Sequence, residues 1–117
     1  MKYVGSCHCN SVEFEIQTDT IEQALQCNCS ICSRKNAVMS KDTYDKSQFV
    51  ITKGAANLST YRWGDEVVNH YFCRTCGIYP FHDNSIEPGK YRVNLGCIHG
   101  LELSTIKISH FDGKHEL

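Results

Sequence analysis

The chain has 117 residues, of which 41% are hydrophobic, enough for one ordinary domain with a modest core. Its 12 basic and 13 acidic residues are spread along the whole length and give a formal charge of −1, so nucleic acid and anionic membranes are not expected as partners. The sequence shows neither the apolar run of a signal peptide nor the ~20 apolar residues of a membrane span, so we expect a cytoplasmic protein.

The first predicted element is a β-strand. Residues 12–16 alternate apolar and charged side chains, which is typical of a half-buried strand. Cys7 and Cys9 come just before it, in a turn. Further along, Ser30 is a candidate cap for a short helical turn over residues 31–35.

The second half of the chain is predicted to be mostly strand punctuated by glycine. Strand-like runs cover residues 49–52, 58–62, 67–72, 91–95 and 106–111. We expect successive antiparallel pairing among the first three of these, residues 49–52, 58–62 and 67–72. Pro80 cannot donate to a strand ladder, so residues 78–82 belong at a sheet edge, a strand end or a bulge. The predicted fold is therefore a single mainly β domain over residues 1–117 with little helix.

Seven of the eight cysteines lie in three short groups. These are Cys7 and Cys9, then Cys27, Cys29 and Cys32, then Cys73 and Cys76. Cysteines so close in sequence have poor geometry for a disulfide with one another. In a reducing cytosol, such spacing favours metal ligation or catalysis over disulfide formation. The groups therefore predict metal sites.

The Cys73-x-x-Cys76-Gly77 motif predicts a zinc knuckle, because the two-residue gap lets both thiolates reach one ion and the glycine permits the tight turn. A knuckle provides two ligands, and structural zinc takes four. Cys7 and Cys9 are the natural other pair. Such a metal site would tie together segments more than sixty residues apart and contribute to stability.

Cys27, Cys29 and Cys32 provide three thiolates, and three protein ligands with an open fourth position are usual for catalytic zinc. Three thiolates make zinc a poorer Lewis acid than three histidines do, which favours thiol chemistry over hydrolysis. The alternative is a second structural zinc, closed by Cys97 or a nearby histidine. Cys97 can equally be a small buried hydrophobe, which we prefer for a cysteine outside any group.

Three motifs together resemble one protein family. They are Gly5-Ser6-Cys7-His8-Cys9, Cys27-Asn28-Cys29-Ser30-Ile31-Cys32 and Tyr71-Phe72-Cys73-Arg74-Thr75-Cys76-Gly77. In this order they resemble the glutathione-dependent formaldehyde-activating enzyme family, which includes domains of the centromere protein V type. The likeness spans roughly Val4 to Leu101, and residues 91–97 are similar to a further segment found in the family.

The resemblance implies a β-rich, Mss4-like zinc-bound fold with two zinc ions. The ligands it implies are Cys7, Cys9, Cys73 and Cys76 for a structural zinc, and Cys27, Cys29 and Cys32 for an open, catalytic one. It also implies a carbon–sulfur lyase activity that forms or cleaves S-hydroxymethylglutathione, with a small thiol and an aldehyde as the partners. The alternative is a non-catalytic module on the same scaffold that binds glutathione or another partner. The oligomeric state stays open.

Some polar and aromatic residues have two interpretations. Arg34 and Lys35 follow the open cysteine group and are candidates for binding anionic glutathione, or they belong to a solvated helical turn. Trp63 and Tyr61 are candidates for a ligand pocket, although core positions are the more usual expectation. His8 is expected to point away from the zinc. The other histidines show no metal spacing and are expected at the surface or in the core.

Overall fold

The computed structural model describes residues 1–64 and 66–116. Within these ranges the chain forms ten β-strands and two short α-helices, so the predicted mainly β fold is confirmed. The strands are β1 (Lys2–Ser6), β2 (Glu13–Gln17), β3 (Gln23–Cys27), β4 (Met39–Ser40), β5 (Phe49–Lys53), β6 (Leu58–Tyr61), β7 (Val68–Cys73), β8 (Phe81–Asn84), β9 (Tyr91–Val93) and β10 (Lys107–Phe111). The helices are α1 (Ser30–Lys35) and α2 (Gly113–Glu116). None of the helices in the described ranges is long and apolar enough to cross a membrane.

Three sheets are formed by the described residues, with strand orders β1-β2-β5, β10-β3-β4 and β6-β7-β8-β9. The expected antiparallel pairing is confirmed between β6 and β7 and is wrong between β5 and β6. β8 and β9 extend the β6–β7 pair as further antiparallel strands. β5 pairs with β2, and β10 runs parallel to β3 with Lys107 opposite Gln23. An alternating strand pattern specifies which side chains face inward but not which strand lies alongside, so the sequence did not indicate these pairings.

Local predictions near the helix and the proline are partly confirmed. Pro80 lies immediately before β8, at a strand end as expected. Ser30 is the first residue of α1 rather than its cap, because Cys29 holds the N-cap position and makes no side-chain capping bond. The core positions expected for Tyr61 and Trp63 are wrong, since these side chains are 51% and 44% exposed.

The core lies where β2, β5, β8 and β9 meet. Phe14, Phe49 and Phe81 are fully or nearly fully buried there, and their ring centroids are 5.1–5.6 Å apart. Full burial of such a ring contributes about 1.5–3 kcal/mol. Gly5 is required beside this cluster, because a Cβ atom at that position would stand 2.3 Å from the ring of Phe14. Cys97, 8% exposed, belongs to the same core, as preferred from the sequence.

The four-stranded sheet has two different faces. His70 pairs with His82, and His82 pairs with Arg92, so these three side chains form a row across β7, β8 and β9. Val68 and Asn84 lie two residues away along β7 and β8, so they point to the same side, which we term the cleft face. The intervening residues of these strands, Tyr71, Phe81 and Val93, pack in the core.

Candidate functional site

Cys7, Cys9, Cys73 and Cys76, here termed the four-cysteine cluster, come together at one end of β1 and β7. Their Sγ atoms lie within 4.8 Å of one another, and Cys9 Sγ lies 3.7 Å from both Cys7 Sγ and Cys73 Sγ. Four thiolates bound to one tetrahedral zinc at about 2.3 Å would be about 3.8 Å apart. The cluster therefore fits a zinc ion and is too wide for disulfides, whose sulfurs are about 2.05 Å apart.

Backbone groups hold these sulfurs in place. The N–H of Val12 donates to Cys7 Sγ at 3.4 Å, and the N–H of Cys76 donates to Cys73 Sγ at 3.4 Å. Gly77 has a φ of +79° and donates its N–H to the carbonyl of Cys73 at 2.8 Å. This is the tight glycine turn with N–H groups aimed at sulfur that the Cys-x-x-Cys-Gly motif predicts.

The four sulfurs have unequal surroundings. Burial raises the pKa of the Cys7 thiol to about 11. The exposed Cys9 has a pKa lowered to about 6, chiefly by hydrogen bonds to the side chain and the backbone of Ser11. Without a metal, a proton therefore stays on Cys7, and a metal that binds all four thiolates has to displace it.

Cys27, Cys29 and Cys32, here termed the three-cysteine cluster, lie where β3 passes into α1. Cys27 ends β3, Cys29 is the N-cap of α1, and Cys32 is in its first turn. Their Sγ atoms lie within 4.8 Å of one another, and the N–H of Cys29 donates to Cys27 Sγ at 3.4 Å. The grouping of seven cysteines that the sequence predicts is therefore reproduced, and both clusters could hold a metal ion.

A fourth protein ligand for the three-cysteine cluster is absent among the described residues. No histidine or carboxylate in those ranges places a ligand atom within the cluster. Cys97 is buried in the core instead, and burial raises the pKa of its thiol to about 12. The structure therefore gives no support to a cluster closed by Cys97 or by a histidine, and it favours a fourth position open to a ligand.

All three cysteines of this cluster line a cleft of about 780 Å³. Its walls come from β3, α1 and β4, from the connection between β6 and β7, and from the cleft face. The lining side chains that carry a charge or an imidazole are Lys35, His70, His82, Arg92 and Lys114. Those that are apolar are Leu25, Ile31, Ala37, Met39, Trp63, Val67 and Val68.

A hydrogen-bonded network joins α1 to the cleft face. Lys35 Nζ lies 3.3 Å from His70 Nδ1 and 3.8 Å from the centre of the Tyr79 ring. The Tyr79 hydroxyl is 3.2 Å from His70 Nδ1 and also contacts His82 Nδ1. One phenol thus connects both imidazoles, and a lysine ammonium lies beside them.

Burial keeps both imidazoles neutral at pH 7. Burial, followed by the charge of Lys35, lowers the pKa of His70 to about 4. Burial, followed by the charges of Lys35, His70 and Arg92, lowers the pKa of His82 to about 3. Burial also raises the pKa of Tyr79 above its usual value, so the phenol keeps its proton. The positive charges on this side of the cleft are therefore those of the lysine and the arginine.

Arg34 and Lys35, the two predicted anion-binding residues, are placed differently. Lys35 lines the cleft, whereas the exposed Arg34 donates from Nη1 to the carbonyl of Ser30 at 2.7 Å and is absent from the described cleft lining. Arg92 lines the cleft and is anchored by bonds from Nη1 to the carbonyls of Ser40 and Lys41. The structure thus adds two cations to the cleft, Arg92 and Lys114, in places that sequence reasoning did not indicate.

His70, His82 and Arg92 were not selected from the sequence, which placed the histidines at the surface or in the core. The sequence feature that could have identified them is the alternation of side chains along a strand, in which every second residue points to the same side of the sheet. Val68 and His70 on β7 share a face in this way, as do His82 and Asn84 on β8. That signal becomes informative only when the register between the strands is known. His8 is exposed, which agrees with its expected orientation away from the sulfurs.

A smaller cavity of about 350 Å³ reaches Cys27 and Cys32 from the side of β10. Its lining is mostly polar and includes Gln26, Asn28, Ser33, Asn36, His110 and Asp112. The three-cysteine cluster is therefore adjacent to two spaces of different polarity, a large one with many apolar side chains and a small polar one.

The chain is similar to known proteins in both sequence and fold. Residues 2–111 match the family model described as glutathione-dependent formaldehyde-activating enzyme. The fold is also similar to a crystal structure of a Rhodobacter sphaeroides protein from structural genomics, with 35% sequence identity and a TM-score of 0.77. That similarity covers 93% of this chain and 100% of the other. The matched region contains both cysteine clusters and the cleft face.

Proposed function

The chain belongs to the glutathione-dependent formaldehyde-activating enzyme family, and on that premise we propose that it forms and cleaves a carbon–sulfur bond between glutathione and a small aldehyde such as formaldehyde. The observation that carries the proposal is the three-cysteine cluster, whose sulfurs line a cleft large enough for a substrate. In this proposal the four-cysteine cluster is structural and the three-cysteine cluster is catalytic. Eight free cysteines, seven of them in these clusters, support a reducing compartment such as the cytoplasm.

Zinc fits the donor set of both clusters, because it prefers thiolate ligands in a tetrahedral arrangement. At the three-cysteine cluster, zinc with an open position would supply a place where the glutathione thiol binds as its thiolate, beside the aldehyde. With three thiolates it favours that chemistry over activation of water. This is consistent with a carbon–sulfur lyase rather than a hydrolase.

Lys35 and Arg92 give the cleft its charge complementarity to glutathione, which carries two carboxylates and one ammonium group at pH 7. Arg92 is held by two backbone carbonyls, so its position is fixed before the ligand arrives. Lys35 contacts His70 and the Tyr79 ring, and within the described residues no carboxylate forms an ion pair with it. A carboxylate of glutathione would form an ion pair with Lys35 through charge-assisted hydrogen bonds.

The reaction moves one proton along with the new bond. The sulfur of the thiol bonds to the carbonyl carbon, and the proton lost from sulfur ends on the former carbonyl oxygen. His70 and His82 are neutral imidazoles in the cleft, joined through the Tyr79 hydroxyl, so they are the candidates for relaying that proton through hydrogen bonds rather than for storing it. The reverse path cleaves the adduct.

NMR exchange spectroscopy tests the proposal, because it follows both directions of the reaction at equilibrium. Zinc-loaded protein added to glutathione and formaldehyde should accelerate adduct exchange in proportion to protein concentration. Cys29→Ser, which removes one sulfur from the catalytic cluster, should abolish the acceleration while the fold persists. A binding module without catalysis would instead deplete free glutathione stoichiometrically and leave the exchange rate constant unchanged, which would refute the proposed activity.

A further inference from the structure

The cleft is much larger than formaldehyde requires. Formaldehyde has two heavy atoms, whereas a cleft of about 780 Å³ falls in the upper part of the range of about 300–1,000 Å³ that takes drug-sized ligands. Glutathione explains part of that volume. The chemical character of the remaining lining indicates what else the cleft accommodates.

Apolar side chains contribute much of the cleft, and they come from several separate segments. Leu25 lies on β3, Ile31 on α1, Met39 on β4 and Val68 on β7, while Trp63 follows β6. Trp63 is 44% exposed, although removal of a large aromatic ring from water is energetically favourable. An apolar ligand placed against these side chains would cover them.

Glutathione by itself is a poor match for this apolar surface. Its two peptide bonds and two carboxylates need hydrogen-bond partners, and burying such groups against hydrocarbon without a partner costs free energy. Polar residues of the lining that can satisfy them include Lys35, His70, His82, Asn84 and Arg92. The apolar surface is therefore available for another part of the ligand, namely the substituent on sulfur.

We infer that the cleft binds the glutathione adduct of an apolar aldehyde larger than formaldehyde, either aromatic or medium-chain aliphatic. The reaction assigned to this substrate rests on the proposed function: sulfur bonds to the carbonyl carbon, the proton lost from sulfur ends on oxygen, and the hydrocarbon group is unchanged. Trp63 and Met39 contact that hydrocarbon group and determine specificity. The small polar cavity beside Cys27 has too few apolar side chains to take it.

Trp63 is the single tryptophan of the sequence, so the fluorescence of the protein reports on the cleft directly. Zinc-loaded protein is titrated with S-methylglutathione and with S-hexylglutathione, stable thioethers that differ by five methylenes. Each methylene removed from water contributes about a fourfold gain in affinity. With about half of the chain buried in an open cleft, S-hexylglutathione should bind roughly thirtyfold more tightly. Equal affinities would overturn the inference.

Trp63→Ala locates the effect, with affinities measured by calorimetry because the fluorophore is lost. The variant should lose most of its preference for the hexyl probe and keep its affinity for the methyl probe. Tyr61→Ala is the matched control: Tyr61 is also an exposed aromatic, 51% exposed, and it is absent from the described lining of the cleft. Equal loss of hexyl affinity in both variants, or in neither, would contradict the assignment.

Exchange spectroscopy with formaldehyde, hexanal and benzaldehyde separates this inference from the proposed function. Acceleration with hexanal or benzaldehyde that exceeds the acceleration with formaldehyde supports both. Acceleration that is greatest with formaldehyde supports the proposed function and overturns the substrate class inferred here. Absence of acceleration with any aldehyde refutes the proposed function, and the reaction assigned to the apolar adduct fails with it. The thioether titrations then still decide which substituent the cleft binds.

Discussion

Lys35 Nζ lies 3.3 Å from His70 Nδ1, so the last residue of α1 is connected to a buried histidine on β7. An ammonium group can only donate, and His70 Nδ1 is therefore the acceptor, which places the imidazole proton on Nε2. The contact joins the segment that carries the three-cysteine cluster to the cleft face. It also keeps a cation in the cleft beside three sulfurs.

Lys35→Met should weaken glutathione binding and leave the fold intact. The substitution keeps a flexible side chain of similar length and removes the charge that we propose to pair with a glutathione carboxylate. That loss corresponds to about a tenfold rise in KM for glutathione. Steady-state kinetics with glutathione as the varied substrate measures this rise. Arg34→Met is the matched control, because Arg34 is exposed and bonds to its own helix, and its KM should change less than about twofold.

The two clusters should lose zinc at different rates. In the four-cysteine cluster Cys7 and Cys73 are at most 2% exposed, and four sulfurs are available to one ion, whereas the three-cysteine cluster opens into a cleft. We expect a mild chelator to remove one equivalent of zinc and leave the far-ultraviolet circular dichroism unchanged. Native mass spectrometry counts the ions. Release of both together with loss of structure would contradict the division of roles.

Substitutions in the two clusters should differ in their effect on stability. Cys73→Ser removes a fully buried sulfur that accepts N–H bonds and ties β7 to the turn after β1, so it should lower the free energy of unfolding by about 3 kcal/mol or more. Cys29→Ser should cost less than about 1 kcal/mol, because its cluster joins residues that are adjacent in sequence. Denaturant unfolding followed by circular dichroism measures both. Similar losses would favour two structural sites.

Stability should fall as the solution is acidified below pH 6.5, and part of the fall should depend on His82. The pKa values of His70 and His82 are lowered in the folded protein to about 4 and about 3, against about 6.5 in the unfolded chain. Between about pH 6.5 and 4 the unfolded chain therefore binds more protons, so the free energy of unfolding decreases as pH falls and is fully restored above pH 6.5.

His82→Asn removes one of these groups and keeps a polar side chain of related shape. The free energy of unfolding of this variant should vary less between pH 7 and pH 4 than that of the native protein. Both proteins carry the same cysteines and carboxylates. The difference between their plots of the free energy of unfolding against pH therefore gives the contribution of His82. Identical slopes would show that His82 is not held neutral by burial.

Gly54→Ala should destabilise the protein strongly, because Gly54 follows β5 with a φ of +80° and packs against the turn that carries Cys9. A Cβ atom there would stand 1.8 Å from the carbonyl oxygen of Ser11, so the turn would have to move. We expect a loss of about 3 kcal/mol or more, together with weaker zinc retention, measured by denaturant unfolding and metal analysis.

Gly89→Ala is the control for backbone strain alone. Gly89 has a similar φ of +83°, but a Cβ atom at this position meets nothing within 4 Å. It should cost about 1 kcal/mol, the usual penalty of a left-handed conformation for a residue with a side chain. Equal losses at the two positions would mean that the contact with Ser11 contributes nothing.

The amino-acid sequence by itself determined the features that depend on neighbours along the chain. Close spacing brings Cys27, Cys29 and Cys32 together whatever the rest of the molecule does, and the Cys73-x-x-Cys76-Gly77 turn forms from local geometry. Alternation of apolar and charged residues likewise located β2, and the strand-like run that ends before Gly54 located β5, each to within a residue, because both patterns are local properties of the chain.

The tertiary structure decided the relations between distant segments. The parallel pairing of β10 with β3 places residues 107–111 beside the strand that leads into Cys27, and no local pattern specifies that partner. The register of β7, β8 and β9 aligns His70, His82 and Arg92 in one row, although a shift of one residue would turn each side chain to the opposite face. Strand register is fixed by packing of the whole core, and for that reason the cleft beside the three-cysteine cluster became visible only in the folded chain.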